Sequence, residues 1–365
     1  MEKVRKKIKL FDPVIDKEEI STVVKVLKSK FWASGAGTGN VNKFEEKFKK
    51  FVKADECIAV NSGTAALNLA LSLINIKNCE VILPSLSFVS TANAIILNGG
   101  KPVFVDVNED TLNIDPVKIE DAITKKTKVI IPVHFGGLSC NLKKINSISK
   151  KHNLKIIEDA AHATGTVYNH KNIGSNSFAV CFSFHPAKNL AMPTGGLIAI
   201  NHKHHKISTQ LLKAKRWCGI TDRKNSDYDV KEIGDNYYMN EISASIGLIQ
   251  LNKLNKLNDI RKKIAKKYSE EIIINKKMPF DKNCSYHLYW ILVKNRKKLR
   301  KILSESGIET GTHYKPIHSF KYYKSRTSLP ITEKIGEQIV TIPIHPNLKS
   351  SEINRIINLV NKFAE

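Results

Sequence analysis

The chain predicts an α/β protein: a large, mostly parallel seven-stranded sheet domain followed by a smaller C-terminal α+β domain. Seven short runs rich in valine, isoleucine and other apolar residues lie at 57–60, 80–83, 103–106, 128–133, 155–159, 179–184 and 197–200. Continuous runs of this kind are how strands buried on both faces read. Helical stretches at 64–75, 89–98, 116–124 and 141–152 separate them, supplying the crossovers that parallel strands need. Small and charged residues gather just beyond several runs, and the carboxyl ends of strands are where such sheets bind ligands.

Taken in order, the run at 57–60 turns through Asn61-Ser-Gly-Thr64 into an amphipathic helix. A helix start carries free N–H groups and partial positive charge, which suits a phosphate. Ser and Thr also cap helices without binding anything, so this segment alone leaves both readings open. The run at 155–159 ends in Glu158-Asp159, and that at 179–184 carries Ser183, whose hydroxyl either reaches the same phosphate or closes a turn. Lys188 follows in a polar loop, His185-Pro-Ala-Lys188-Asn, 29 positions after Asp159. Beyond 200 a long helical stretch from about 240 to 271 leads into the second domain, where 288–293 reads as a strand. The expected division is 1–244 and 245–365, with no internal repeats and no low-complexity linker.

A lysine after one strand and an aspartate at the end of another is the pair that pyridoxal phosphate chemistry requires. The amine forms a Schiff base with the cofactor aldehyde, and the carboxylate keeps the pyridine nitrogen protonated so that the ring accepts electrons. Lysines and strand-end aspartates are common in α/β proteins, so Lys188 and Asp159 gain weight only together with the Ser62–Thr64 turn and Ser183.

With these segments in place, the chain resembles, almost end to end, the sugar-nucleotide aminotransferases of the DegT/StrS family, which are fold-type-I enzymes using pyridoxal 5′-phosphate. The resemblance extends through Pro84-Ser-Leu-Ser-Phe88, Gly100-Lys-Pro-Val-Phe-Val-Asp106, Ile131-Pro-Val-His134-Phe-Gly136 and Gly234-Asp-Asn236-Tyr-Tyr-Met-Asn-Glu241. It continues through Gly307-Ile-Glu-Thr-Gly-Thr-His313-Tyr314-Lys-Pro316-Ile-His318 and Ile342-Pro343-Ile-His-Pro346. By position it implies that Lys188 is the Schiff-base lysine and Asp159 the pyridinium partner, with Gly63, Thr64, Ala65 and Ser183 around the phosphate. Phe88 falls where a ring stacks on the cofactor, and His162 where a side chain approaches its phenolic oxygen. Asn236 matches a residue that reaches the phosphate from a partner subunit, which implies a homodimer with shared sites. His185, His313, Tyr314 and His318 fall where the substrate approaches.

The implied reaction is a ping-pong transfer of an amino group through an internal aldimine on Lys188. The donor is an amino acid, with L-glutamate expected, and the acceptor is a keto-deoxy sugar nucleotide aminated at C3 or C4, in amino-sugar and surface-polysaccharide biosynthesis. Two departures stand near the site. Met192-Pro-Thr-Gly-Gly196 lacks the acidic residue usual after the lysine, and Tyr238 stands where Arg or His is usual. Both bear on substrate identity more than on chemistry. Sugar dehydratases of this fold carry histidine in place of the lysine, so Lys188 argues against dehydration, with His185 the nearby residue to check. A non-catalytic regulatory protein of the same fold is opposed by the retained Lys188, Asp159 and Ser183.

Composition fits. The 365 residues are 42% hydrophobic, and no stretch approaches the ~20 apolar residues of a membrane span. The basic N-terminus has no apolar core behind it, so no secretory signal is read there. Six cysteines show no Cys-x-x-Cys pair or metal spacing, so no metal is expected, and reduced thiols point to a cytoplasmic protein. The net charge of +25 is carried mostly by lysine, with eight arginines among 59 basic residues. Its densest runs, 261–267 and 296–301, have apolar residues at helical spacing, which puts the lysines on solvated faces and gives no reason to expect nucleic-acid or membrane partners. Lys215 and Arg216 are placed where a diphosphate or plain solvent are equal readings.

Overall fold

The structure is a computed structural model that describes residues 7–323 and 327–364. All seven predicted strands form one sheet: β1 (Glu56–Val60), β2 (Glu80–Pro84), β3 (Lys101–Val105), β4 (Thr127–Ile130), β5 (Lys155–Asp159), β8 (Ala179–Ser183) and β9 (Gly196–Ile200). A minor hairpin, β6 (Val167–Tyr168) and β7 (Lys171–Asn172), lies between the fifth and sixth of these. The strand order is β1-β9-β8-β5-β4-β2-β3, with β9 antiparallel to both neighbours and every other pairing parallel.

Helices α1 (Lys17–Ser29), α2 (Asn40–Val52), α3 (Gly63–Leu71), α4 (Ser90–Leu97), α5 (Pro116–Asp121), α6 (Leu142–Lys151) and α7 (His205–Lys215) surround the sheet. The period-2 pleat sends successive strand residues to opposite faces. Cys57, Ala59, Val180 and Phe182 therefore pack with α2, while Ile58, Val60, Ile157, Ala179 and Cys181 pack with α3. By the same parity Asp159 and Ser183 emerge on the α3 face.

Three predicted elements end early, among them 116–124, which is helical only to Asp121. The stretch 64–75 is helical only to Leu71, where the Ser72 hydroxyl donates back to the Leu69 carbonyl (2.8 Å). β4 stops at Ile130 because Pro132 has no N–H for the ladder, although its carbonyl still accepts from Asp159 N (2.9 Å).

An exposed hairpin, β10 (Ile220–Lys224) and β11 (Asp227–Val230), precedes the long helix α8 (Glu241–Glu271). The division expected at 244/245 falls inside α8. The smaller domain comprises β12 (Tyr289–Leu292), α9 (Arg296–Glu305), α10 (Pro330–Gln338), β13 (Ile339–Ile342) and α11 (Ser350–Phe363), with β12 and β13 paired antiparallel. Its core, which includes Trp290, Tyr268 and Ile356, also takes in Leu86, Val107 and Phe135 from the sheet domain.

Polar clamps join the two domains. Asp106, just past β3, accepts from Thr332 N (2.7 Å) and Ile331 N (3.1 Å) at the start of α10. There it satisfies N–H groups that have no partner inside the helix. The N-terminal segment crosses the same way: Ile8 N donates to Gly307 O and Leu10 N to Glu309. Among the described residues no helix is long and apolar enough to cross a membrane.

Arg216 corrects one expectation. It is fully buried at the end of α7, donating to Glu45 of α2 (2.5 Å) and to the carbonyls of Ala59 (2.9 Å) and Ala36 (3.1 Å), so it holds elements together and meets no diphosphate. Lys215 pairs with Glu232 at 3.8 Å. Arg216→Met strands the Glu45 carboxylate in the interior. It is expected to lower the unfolding free energy by about 3 kcal/mol or more, seen as a clear drop in melting temperature by calorimetry.

Candidate active site

Four sheet-domain segments converge where β9 is inserted antiparallel between β1 and β8. Gly196 opens β9 opposite both Val60 and Ser183. A Cβ on Gly196 would fall 2.3 Å from the Ser62 carbonyl carbon, and one on Gly63 would fall 2.7 Å from Ser183 Cβ. Both glycines are thus required by close approach, and together they press the start of α3 against Ser183. Ser62 caps α3 by accepting from Ala65 N (3.1 Å). The capping reading and the anion-site reading are therefore compatible, because Gly63, Thr64 and Ser183 still line a cavity beside the helix start.

That cavity has a volume of about 490 Å³. Phe88, Asp159, His162, His185, Lys188, His313 and Tyr314 also line it. Three sequence-predicted site residues lie outside it. Ala65 is buried with its amide taken by Ser62. Asn236 is exposed beside Asn61, whose side-chain amide donates to the Asn236 carbonyl (3.1 Å). His318 is buried at the domain junction, with Nδ1 2.6 Å from Ser85 Oγ and Nε2 3.2 Å from Glu333.

Asp159 sits at the carboxyl end of β5 and is buried. Its Oδ2 accepts from Thr91 Oγ1 (2.8 Å) and its Oδ1 from Ala161 N (3.1 Å). Burial pushes the Asp159 pKa up, while these two donors and the Lys188 charge pull it back. Lys188 is half-buried, with Nζ 3.4 Å from His287 Nε2. Burial lowers its pKa to about 8, against an opposing pull from Asp159.

Three imidazoles crowd the amine. The His162 and His287 rings are 4.4 Å apart, and His313 Nδ1 contacts Thr341 Oγ1 at 2.8 Å. Burial first, then Lys188, drives all three pKa values down, with His313 reaching about 4, so each is neutral at pH 7. Gly136 N donates to His162 Nδ1 (3.3 Å), which fixes the proton on Nε2 for donation to Tyr314 Oη (3.0 Å). The Tyr314 hydroxyl hydrogen is then free to point into the cavity, 6.0 Å between ring centres from the exposed Phe88.

Sequence reasoning missed His287, Thr91 and Phe11. Phe11 stacks on His287 at 5.5 Å and meets His313 edge-on at 5.9 Å. The Pro13 that follows Phe11 and the strand that follows His287 give no local sign that either side chain faces a cavity. Thr91 carried a faint one, as a hydroxyl on the helix following β2.

In cofactor-free protein the Lys188 amine is expected to label with an amine-reactive reagent with a midpoint near pH 8, well below the surface lysines. Since Asp159 raises the Lys188 pKa, Asp159→Asn should move that midpoint further down. Peptide mass spectrometry of samples labelled across pH checks both.

Comparison with known proteins agrees with this geometry. The family description "DegT/DnrJ/EryC1/StrS aminotransferase family" matches residues 13–361. The chain is similar to the spore coat polysaccharide biosynthesis protein SpsC of Bacillus subtilis, at 34% identity over 97% of this chain and 96% of that one. Among solved structures it is similar to Helicobacter pylori PseC, an aminotransferase involved in the biosynthesis of pseudoaminic acid, with TM-score 0.91, 30% identity and coverage of 98% and 99% of the two chains. It is also similar to the sugar aminotransferase Spr1654 of Streptococcus pneumoniae in its PLP form, with TM-score 0.92, 27% identity and 98% of each chain covered. With the family matched over nearly its whole length, a fold-type-I sheet and a half-buried lysine facing a buried aspartate, this chain belongs to the DegT/DnrJ/EryC1/StrS aminotransferase family and is a sugar aminotransferase.

Proposed function

We propose that the protein uses pyridoxal 5′-phosphate to move an amino group from an amino-acid donor, L-glutamate, to a keto-deoxy sugar nucleotide at C3 or C4, in amino-sugar and surface-polysaccharide biosynthesis. The observation that carries this reading is the pairing of Lys188 with the buried Asp159, in a cavity that ends where Gly63 is pressed against Ser183. The family and the PLP and PMP forms of a structural neighbour support the cofactor, and the residues fit it.

When bound, pyridoxal phosphate supplies an aldehyde that captures amines and a ring that accepts electrons. Gly63, Thr64 and Ser183 would hold its phosphate at the start of α3, and Asp159, anchored by Thr91 and Ala161, would keep its ring nitrogen protonated. Lys188 is the group that would move a proton away from the donor's α-carbon. An amine with pKa near 8 is neutral often enough at physiological pH to accept that proton and acidic enough to return it. The neutral His162, His287 and His313 add no charge to compete with it. Phe11, Phe88 and Tyr314 cover the cavity with aromatic surface and restrict water there.

A second copy of the chain is the proposed partner. Ile20, Val24 and Leu27 follow each other at helical spacing along α1 yet are 60%, 42% and 45% exposed, with Phe31 and Trp32 exposed beyond them. A continuous apolar face of this kind marks an interaction surface. An apolar groove between α1 and the 186–193 loop joins it to the segment carrying Lys188. Asn236, exposed and outside its own cavity, is the residue proposed to reach the partner's phosphate site.

Adding excess glutamate to the cofactor-loaded protein is expected to convert its visible absorbance band to the shorter-wavelength pyridoxamine form. Lys188→Ala should lose that conversion entirely, and a Lys188→Ala enzyme with normal turnover would sink the proposal. Val24→Glu places a charge in the apolar face of α1 and is expected to shift the protein from dimer to monomer in analytical ultracentrifugation. A wild-type protein that sediments as a monomer at micromolar concentration would remove the shared-site reading.

A further inference from the structure

Behind Lys188, away from the phosphate end of the cavity, lies a small chamber of about 10 Å³, room for one oxygen-sized group. Arg261 of α8 lines it, together with Asp12, His345, His287 and Lys188 itself. The arginine belongs to the basic run 261–267, whose lysines face outward, but Arg261 is only 7% exposed. Among the described residues no carboxylate lies in salt-bridge range of it, and its Nη1 is buried without a hydrogen-bond partner. His345 adds a second orphan: Nε2 lies 3.0 Å from the Lys9 carbonyl, while Nδ1 is buried and unpartnered.

A buried guanidinium with nothing opposite it is unusual. Such charges are paired, and an arginine stays protonated at any working pH; burial lowers this one only to about 10. The nearest carboxylate on the chamber wall, Asp12, is occupied with Lys9 (2.9 Å) and Asn347 (2.9 Å). Asp159 answers the charge of Lys188. Among the described residues, the charge of Arg261 is therefore answered by no side chain on the chamber wall. A single water can accept from Nη1 and donate to His345 Nδ1, but it leaves the charge uncompensated. A carboxylate oxygen in the same space accepts from Nη1 and supplies the charge, although it offers no proton to His345 Nδ1.

The chamber and the main cavity share Phe11, Ala187, Lys188 and His287, so a molecule that brings an amine to Lys188 has the chamber as its neighbour. We infer that Arg261 anchors an anion subsite that receives one oxygen of a carboxylate of the amino-acid donor, beside Lys188 and His287. This rests on the aminotransferase reading for the identity of the ligand, and on the unpaired arginine for the existence of the site. It also explains how the cavity recognises an anionic donor, since Lys188 is the one lysine or arginine among its lining residues.

The test uses the cofactor-loaded protein and glutarate, a dicarboxylate with no amine to transfer. Calorimetric titration of wild type with glutarate is compared with Arg261→Met and Arg261→Lys. Arg261→Met keeps the bulk and removes only an unpaired buried charge, so its melting temperature is expected to equal or exceed that of wild type. Its glutarate affinity should fall at least tenfold, and its KM for glutamate should rise at least tenfold with a smaller change in kcat. Arg261→Lys, which keeps the charge without the fork, should fall between. Three results overturn the inference. One is a marked loss of melting temperature in Arg261→Met, which makes the arginine structural. Another is unchanged glutarate binding. The third is acetate binding that depends on Arg261 while KM for glutamate stays put, which makes the occupant a free small anion. Arg261-dependent glutarate binding in a protein whose absorbance band glutamate never converts would leave the subsite standing and sink the transamination reading instead.

Discussion

The site depends on keeping a carboxylate charged while it is buried. Asp159 is taken out of water at the end of a central strand, and burial alone would protonate it. Four features oppose that: the Thr91 hydroxyl, the Ala161 amide, the Lys188 ammonium and the charge on His134. Each comes from a different segment, so holding one charge fixes the relative positions of α4, the turn after β5 and the loop after β8. The dependence runs both ways, because Asp159 is also what keeps Lys188 from falling further in pKa. The same economy appears beneath the sheet, where Glu45 and Arg216 are buried as a pair between α2, β1 and α7.

The parts of this arrangement legible in the sequence are those whose signal is local. Strands buried on both faces leave unbroken apolar runs, so all seven were readable, and the parity of β5 and β8 carries Asp159 and Ser183 to the α3 face without further information. Lys188 was readable because a charged residue in a loop flanked by two such runs has few structural uses. His287 and Phe11 were not readable, since they reach Lys188 from 99 and 177 positions away and nothing near them in the chain says so. Helix α1 hides its orientation for a different reason: it buries Glu19, held by Lys253 and Gln250, and exposes Ile20 and Val24. Its apolar periodicity therefore points away from the core of its own chain.

Charge illustrates the same limit. Lysines at 263, 266, 297 and 301 are exposed, as a solvated-face reading of those runs requires. Arg261 and Arg216 are not. Among the described residues two arginines are buried at positions that composition cannot separate from the rest, one paired with a carboxylate and one not. The difference lies in the tertiary neighbours alone.

The N-terminal segment places Phe11 against His287 and His313, and it is held there by residues from the other end of the chain: Gly307, Glu309, His345 and Asn347. Synthesis proceeds in the opposite sense. The seven-stranded sheet is complete once residue 200 has emerged from the ribosome, and most of its pairings join neighbouring segments, so it can form early. Residues 8–12, although made before the sheet, have nowhere to dock until residues 307–347 are made. During that interval the cavity lacks Phe11, and both the N-terminal segment and the surface that receives it are exposed. Assembly of the nascent protein is thus divided into an early scaffold and a late closure, and the chemistry waits for the second.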